Sequence, residues 1–207
     1  MPVIPVWGFL AVTVPLVLSP GVSTAVVLRN SLAGGTRAGI VTAIGVNSGS
    51  ICYGLLSAFG FALALQRWPT AWIVLRAGGV SYMVWLGIQS IRRAWSAGSR
   101  SVAALPGTER GLWDCLYEGF LTNALNPAIA TFYLVLLPQF IPRGAPVVAS
   151  ALLLTAIHVA LAATWHVSWA AAGGILSRTL GAPRPRRILE AATGIVLLAF
   201  AVKIAKG

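Results

Sequence analysis

Few side chains in this sequence are able to do chemistry. His158 and His166 share an uncharged stretch, where either histidine would serve as a proton carrier. Asp114 and Glu118 stand four residues apart, which puts two carboxylates on one helical face in a spacing that suits acid/base work. At the edge of an apolar run and beside many arginines, that pair reads instead as a solvated charged face. Cys52 and Cys115 occur singly, without Cys-x-x-Cys or Cys/His spacing, and specify neither a disulfide nor a metal site. They read as small packing residues. No nucleophile stands with a base at workable spacing inside one apolar run, so the sequence does not point to an enzyme. The core carboxylates, thiolates and clustered histidines that a cation or metal exporter would want are also lacking. That exporter and a non-transporting membrane scaffold are the alternatives to the reading developed below.

The elements that must position these groups are membrane-spanning. Of the 207 residues 57% are hydrophobic and 9% charged, and the mean hydropathy is +0.84; a soluble domain carries about 25% charged residues. The net charge of +11 comes from basic residues lying between hydrophobic runs. They do not build a basic, aromatic-laced domain of their own, so the charge fits anionic lipid and the cytoplasm and not nucleic acid. No Lys or Arg precedes the first apolar run, whose first basic residue is Arg29, so that run is expected to stay as a transmembrane helix.

Six spans are expected, at about 6–28, 38–66, 72–91, 119–142, 147–172 and 188–203. Gly39, Gly45, Gly49, Gly54 and Gly60 give the second a small-residue face for close helix packing, which places it centrally and also permits a homodimer. Asn47 and Ser48 are its polar exceptions. A turn is expected at 34–37, and Trp85 and Trp95 are expected at the inner interface. The stretch from 96 to 112 reads as a cytoplasmic linker, so the single membrane domain 1–207 divides into three-helix repeats over 1–95 and 113–207. Ten basic residues fall on one side: Arg29, Arg37, Arg92, Arg93, Arg100, Arg110, Arg178, Arg184, Arg186 and Arg187. Arg67, Arg143, Lys203 and Lys206 fall on the other, so both termini are expected outside.

Two positions break this pattern of apolar helices. Asn123-Ala124-Leu125-Asn126-Pro127 sits in an uncharged run from 119 to 142, and Ser19-Pro20-Gly21 interrupts the first span. Proline removes a backbone donor and leaves carbonyls unpaired, which a membrane tolerates only against protein or a water-filled cavity. Pro20 and Pro127 are followed 17 and 16 residues later by the turn arginines Arg37 and Arg143. Because each half has an odd number of helices, the second copy enters the membrane the opposite way up, which gives an inverted repeat. The fold class is therefore an all-α integral membrane protein of six transmembrane helices, arranged as two inverted repeats with a broken first helix in each. Paired broken helices at matching positions mark a transporter's substrate site.

Several segments together resemble the LysE/RhtB family of amino-acid exporters. They are Leu18-Ser19-Pro20-Gly21 with 34–49, then Gly78-Gly79-Val80-Ser81-Tyr82-Met83-Val84-Trp85-Leu86-Gly87, then 119–140 with Asn123, Asn126-Pro127 and Leu137-Pro138-Gln139-Phe140. The resemblance covers nearly the whole chain. It implies efflux of amino acids or small derivatives across the bacterial inner membrane, driven by the proton gradient, with no cofactor. Departures from the family pattern are Val22 where a proline is usual, Ala128 where many members have lysine, and Asn47-Ser48-Gly49 where some branches carry an acid.

Physical chemistry suggests how a zwitterion would be held. Helix donors freed at Gly21 to Ser23, or just after Pro127, suit a carboxylate. Carbonyls freed before the breaks, with Asn47, Asn123 or Asn126, suit the ammonium. Ser19, Pro20, Gly21, Ser23, Asn47, Asn123, Asn126 and Pro127 are thus the expected substrate residues, and His158, then His166, the proton carriers. With no acid in an expected helix core, a neutral or hydrophobic amino acid is favoured over lysine or arginine.

Overall fold

Apolar stretches form helices throughout, and these helices end where proline, asparagine or glycine interrupts the backbone ladder. The computed structural model describes residues 4–19, 21–67, 71–95 and 111–180, and within the last segment 187–188, 191–192, 194–195, 198–199, 201–202 and 205. The described residues contain no strand. Pro20 and most of the expected linker, 96–110, lie outside them.

The first expected span is two separate helices. α1 (Val6–Leu18) stops at Ser19, whose N–H bonds to the Pro15 carbonyl at 3.0 Å, and α2 (Val22–Arg67) begins three residues later. α2 is itself divided at Gly34 and Gly35, and Gly35 holds φ +76°, a conformation that favours glycine. The chain turns back there. Asn30 Nδ2 lies 2.9 Å from Thr42 Oγ1, whereas twelve residues of unbroken helix would part them by about 18 Å. The turn expected at 34–37 is therefore present, with one arm at 22–33 and a longer one at 36–67.

α3 (Ala71–Trp95) follows, then α4 (Leu112–Ala124), which absorbs the amphipathic segment before the fourth span into one continuous helix. Asn126 and Pro127 break that span, and the chain resumes bent by 58°. The resumed stretch is not regular: α5 (Pro127–Thr131) passes into a π-helical turn at Phe132–Leu136 and a 3-10 turn at Leu137–Phe140. α6 (Val147–Leu180) changes direction at Ala172, where the fifth span was expected to end. The described residues of the last segment are helical. By length and composition Val22–Gly60 and Val147–Ala172 are apolar enough to cross a membrane, although in the first only the arm after the Gly34–Gly35 turn runs on without reversal, and α4 with Ala128–Phe140 adds a third if that bent pair counts as one span.

The 36–67 arm is central, with α4 against one face and α6 against another. Its contact with α4 depends on missing side chains: a Cβ at Gly45 would strike the Leu116 carbonyl, one at Gly119 the Thr42 carbonyl, and one at Gly49 would lie 3.0 Å from Asn123 Cβ. Two apolar clusters flank this contact. One joins Phe9 and Val12 of α1 to Phe132, Tyr133, Leu136 and Leu154. The other joins Val26, Val27 and Leu28 to Ala43, Val46 and Trp169 near the Gly34–Gly35 turn. Trp7, Trp95 and Trp113 stand exposed at helix ends, as interfacial aromatics do.

Candidate substrate site at the paired helix breaks

A helix that stops inside a membrane leaves carbonyls without partners, and the 36–67 arm supplies several. The Tyr53 hydroxyl donates to the Ala124 carbonyl, just before the second break, at 2.7 Å. One turn further along the same face, Ser57 Oγ donates to the Tyr133 carbonyl in the π-helical turn at 2.8 Å. Gln139 Nε2 donates to the Val135 carbonyl at 3.1 Å. The irregular backbone thus faces protein, as the membrane requires. Sequence reasoning missed Tyr53 and Ser57, although a tyrosine and a serine four residues apart in an apolar helix were a usable signal.

One residue beside each break lines a shared groove, whose lining does not include Asn47, Asn123 or Asn126. Val22, just after the first break, and Leu125, just before the second, line a groove of about 460 Å³ together with Asp114, Tyr117, Glu118, Leu121 and Thr122. A Cβ at Gly21 would meet only the Ser19 carbonyl, at 4.0 Å, so the backbone at the first break borders open space. Ser19 is half-buried beside it.

Three of the expected substrate residues carry a buried side-chain oxygen with no hydrogen-bond partner among the described residues: Ser23 Oγ, Asn47 Oδ1 and Asn123 Oδ1. The amide nitrogens of both asparagines are engaged. Asn47 Nδ2 donates to the Ala43 carbonyl at 2.7 Å and lies 3.4 Å from His166 Nδ1. Asn123 Nδ2 donates to Ser50 Oγ at 3.3 Å. Each amide therefore presents an acceptor while its donor side is pinned. A buried acceptor without a partner costs about 1–3 kcal/mol, which a cationic ligand would offset.

Asn126 Oδ1 accepts from the Ala128 N–H at 3.0 Å and caps α5, so this oxygen already has a partner within the chain. Pro127 has no N–H, and the first N–H after it, that of Ala128, is held by Asn126. The Asp114–Glu118 face is not uniformly solvated. Asp114 is exposed and holds the Gly111 N–H at 3.2 Å, but one turn on the 22–33 arm covers the helix, and Glu118 pairs there with Arg29. Asn30 joins them: its Nδ2 reaches Glu118 Oε2 at 3.0 Å and its Oδ1 accepts from Arg29 Nη2 at 3.1 Å.

The histidines lie apart from this groove, on the face of α6 toward the centre. His158 is buried, with Nδ1 2.7 Å from the Tyr133 hydroxyl and its ring 4.5 Å from that of Phe132. His166, two turns on, meets Asn47. The structure thus brings Ser19, Gly21 and Ser23 to one break and Asn123 and Asn126 to the other, and it links Asn47 to His166. Cys52 is exposed and Cys115 buried, and both are free.

Comparison with known proteins identifies the family. The family model "LysE type translocator" matches residues 14–207. The leucine efflux protein of Enterobacter sp. (strain 638) is 25% identical over 201 residues, covering 96% of this chain and 94% of its own length. The homoserine/homoserine lactone efflux protein of Salmonella typhimurium is 23% identical over 192 residues, 93% and 91% of the two chains. The putative amino-acid transporter YggA of Aeromonas salmonicida is 29% identical over 152 residues, 73% and 72%. No solved structure matches significantly. With its helix breaks, its apolar spans and a family match over nearly its whole length, the chain belongs to the LysE type translocator family of membrane transporters.

Proposed function

We propose that this protein exports neutral or hydrophobic amino acids from the cytoplasm across the bacterial inner membrane, by alternating access at the two helix breaks. One observation carries the proposal: residues flanking both breaks line a single groove, the arrangement by which discontinuous helices hold substrate in secondary transporters. The buried oxygens of Asn47 and Asn123 offer acceptors for an ammonium, and space beside Gly21 admits a carboxylate. Val22, Leu121 and Leu125 favour an apolar side chain. Glu118 is matched by Arg29, so a second positive charge on the cargo would lack its own counter-ion. The relatives named for leucine and homoserine efflux lend the reading support.

The six-helix inverted repeat, with both termini outside, belongs to the same proposal. So does proton coupling through His158. In the neutral ring Nδ1 accepts or donates, but in the protonated ring both nitrogens donate. Protonation therefore forces the Tyr133 hydroxyl to become an acceptor, at a residue whose carbonyl lies in the π-helical turn held by Ser57. That links proton binding to the segment after the second break. Counterflow in proteoliposomes with a panel of amino acids tests the function: leucine-like substrates are expected to exchange and lysine not. Strong, specific lysine exchange would overturn the substrate assignment.

A further inference from the structure

The Arg29–Glu118 pair is more than helix glue. Its side chains are 19% and 26% exposed, and Glu118 also lines the groove beside Tyr117 and Thr122. Building on the export reading above, we propose that this pair is the entry subsite for a zwitterion. The incoming α-ammonium replaces Arg29 at the Glu118 carboxylate, and the α-carboxylate replaces Glu118 at Arg29.

Charge conservation is the first argument. Half-buried charges are costly to leave under-compensated, so an exchange that gives each of them an opposite charge is favoured over one that removes a single partner. A zwitterion supplies both; an amine without a carboxylate, or an acid without an ammonium, strands one partner. Such a subsite selects for an intact α-amino acid before any side chain is read.

The site is also built in advance. Asn30 bridges the two charged groups and is itself held by Thr42 Oγ1 at 2.9 Å, while Thr42 donates to the Ala38 carbonyl at 2.8 Å. Three segments, the 22–33 arm, the 36–67 arm and α4, thus hold the two charges in register. Replacing one ion pair by two leaves Asn30 in place to receive the separated groups. The apolar wall of Val22, Leu121 and Leu125 gives the cargo side chain a place next to Glu118.

Placement supplies direction. Arg29 lies near the Gly34–Gly35 turn, whose Arg37 belongs to the basic, cytoplasmic side in the charge count. Glu118 precedes Asn123 by five residues of α4, about 7.5 Å of helix rise. Cargo arriving from the cytoplasm would meet the pair first and the amide oxygens next. Parting the pair frees the 22–33 arm from α4, which is the movement an inward opening requires.

The test combines binding with transport. Leucine binding is read as thermal stabilisation of the detergent-solubilised full chain, and leucine counterflow is read in proteoliposomes. Glu118→Gln and Arg29→Gln are each expected to raise the half-saturating leucine concentration about tenfold or more, the loss of one charge-assisted contact. Glu118→Asp and Arg29→Lys, which keep the charges and guard against misfolding, should give smaller rises. In the wild type, 3-methylbutylamine and 4-methylpentanoate, each keeping one charge of leucine, should fail to compete with it. The double variant Arg29→Glu/Glu118→Arg rebuilds an ion pair with reversed polarity and should not recover affinity. Unchanged half-saturation in the single variants, or full recovery in the double variant, would overturn the proposal and leave the pair a latch. Leucine binding that needs the pair, without counterflow, would sustain the subsite and defeat the export reading. Normal counterflow in all variants would do the reverse, and a wild type that neither binds nor exchanges leucine would defeat both.

Discussion

Replacing Gly45 by alanine tests whether the central helix contact rests on a missing side chain. A Cβ at Gly45 would fall 2.9 Å from the Leu116 carbonyl carbon and from the Phe120 nitrogen, and closer still to the Leu116 oxygen. Backbone atoms cannot rotate away as a side chain end does. For ordinary van der Waals contact at about 3.5–4.0 Å, the 36–67 arm and α4 would have to part by roughly 1 Å. Overpacking of that kind costs about 1–3 kcal/mol. Gly60→Ala on the same arm is the control, because among the described residues nothing lies within 4 Å of its added Cβ. It should gain the usual helical preference of alanine over glycine, about 0.5–1 kcal/mol. Both substitutions share that gain, so the difference between them isolates the overpacking. At roughly 2–4 °C per kcal/mol for a chain of this size, Gly45→Ala should lose folded protein about 2–12 °C below Gly60→Ala. The assay is size-exclusion chromatography of detergent-solubilised protein after stepwise heating. Equal thermal stability of the two variants would refute the close approach of α2 and α4.

Other substitutions probe the broken span and the histidines. Tyr53→Phe removes the donor to the Ala124 carbonyl and should destabilise by about 0.6–2 kcal/mol, read in the same heating assay; no change would mean that another group satisfies that carbonyl. Asn126→Ala removes the cap on Ala128 and should cost about 1 kcal/mol, with Asn126→Asp recovering most of the loss. His158→Ala should flatten the dependence of leucine counterflow on external pH, and an unchanged pH profile would remove His158 from the coupling path. Tyr133→Phe keeps the ring contacts with Phe132 and Tyr53 but loses the hydroxyl facing His158. It should alter the pH profile and, because the buried His158 Nδ1 loses this partner, destabilise by about 1–3 kcal/mol; a wild-type profile would show that the hydroxyl is dispensable.

Much of the fold was legible because a membrane makes the rules strict. Of the six expected spans, apolar length located two or three among the described residues, Gly34–Gly35 located the first turn, and Asn126–Pro127 located a break that the structure places one residue from the end of α4. The glycine spacing on the second span anticipated its central place, since Gly45 and Gly49 carry the contact with α4. Side-chain partners were less legible, because pairing depends on which helices touch. Glu118 looked solvated from its own helix and became a partner of Arg29 only once the chain folded back at Gly35 and laid the 22–33 arm across α4. Asn126 looked like a ligand because an asparagine beside a proline in an apolar run suggests a polar site. The same pair is also an N-cap with proline at the first helical position, and that local bond formed. The π-helical turn at Phe132–Leu136 had no sequence signal of its own, since it depends on Ser57 meeting the Tyr133 carbonyl from another helix.

The central claim is that the two helix breaks form one amino-acid site. Leucine counterflow in proteoliposomes holding the wild type, set against the Asn123→Ala variant, tests it most directly. Asn123 Oδ1 is buried beside the second break with no partner among the described residues, so its loss should remove a substrate contact, and the Asn123 donor to Ser50 Oγ goes with it. The account expects robust leucine exchange by the wild type and a half-saturating concentration about tenfold higher in the variant. An amino-acid exchange that is identical in the two proteins, or absent from the wild type, would contradict it.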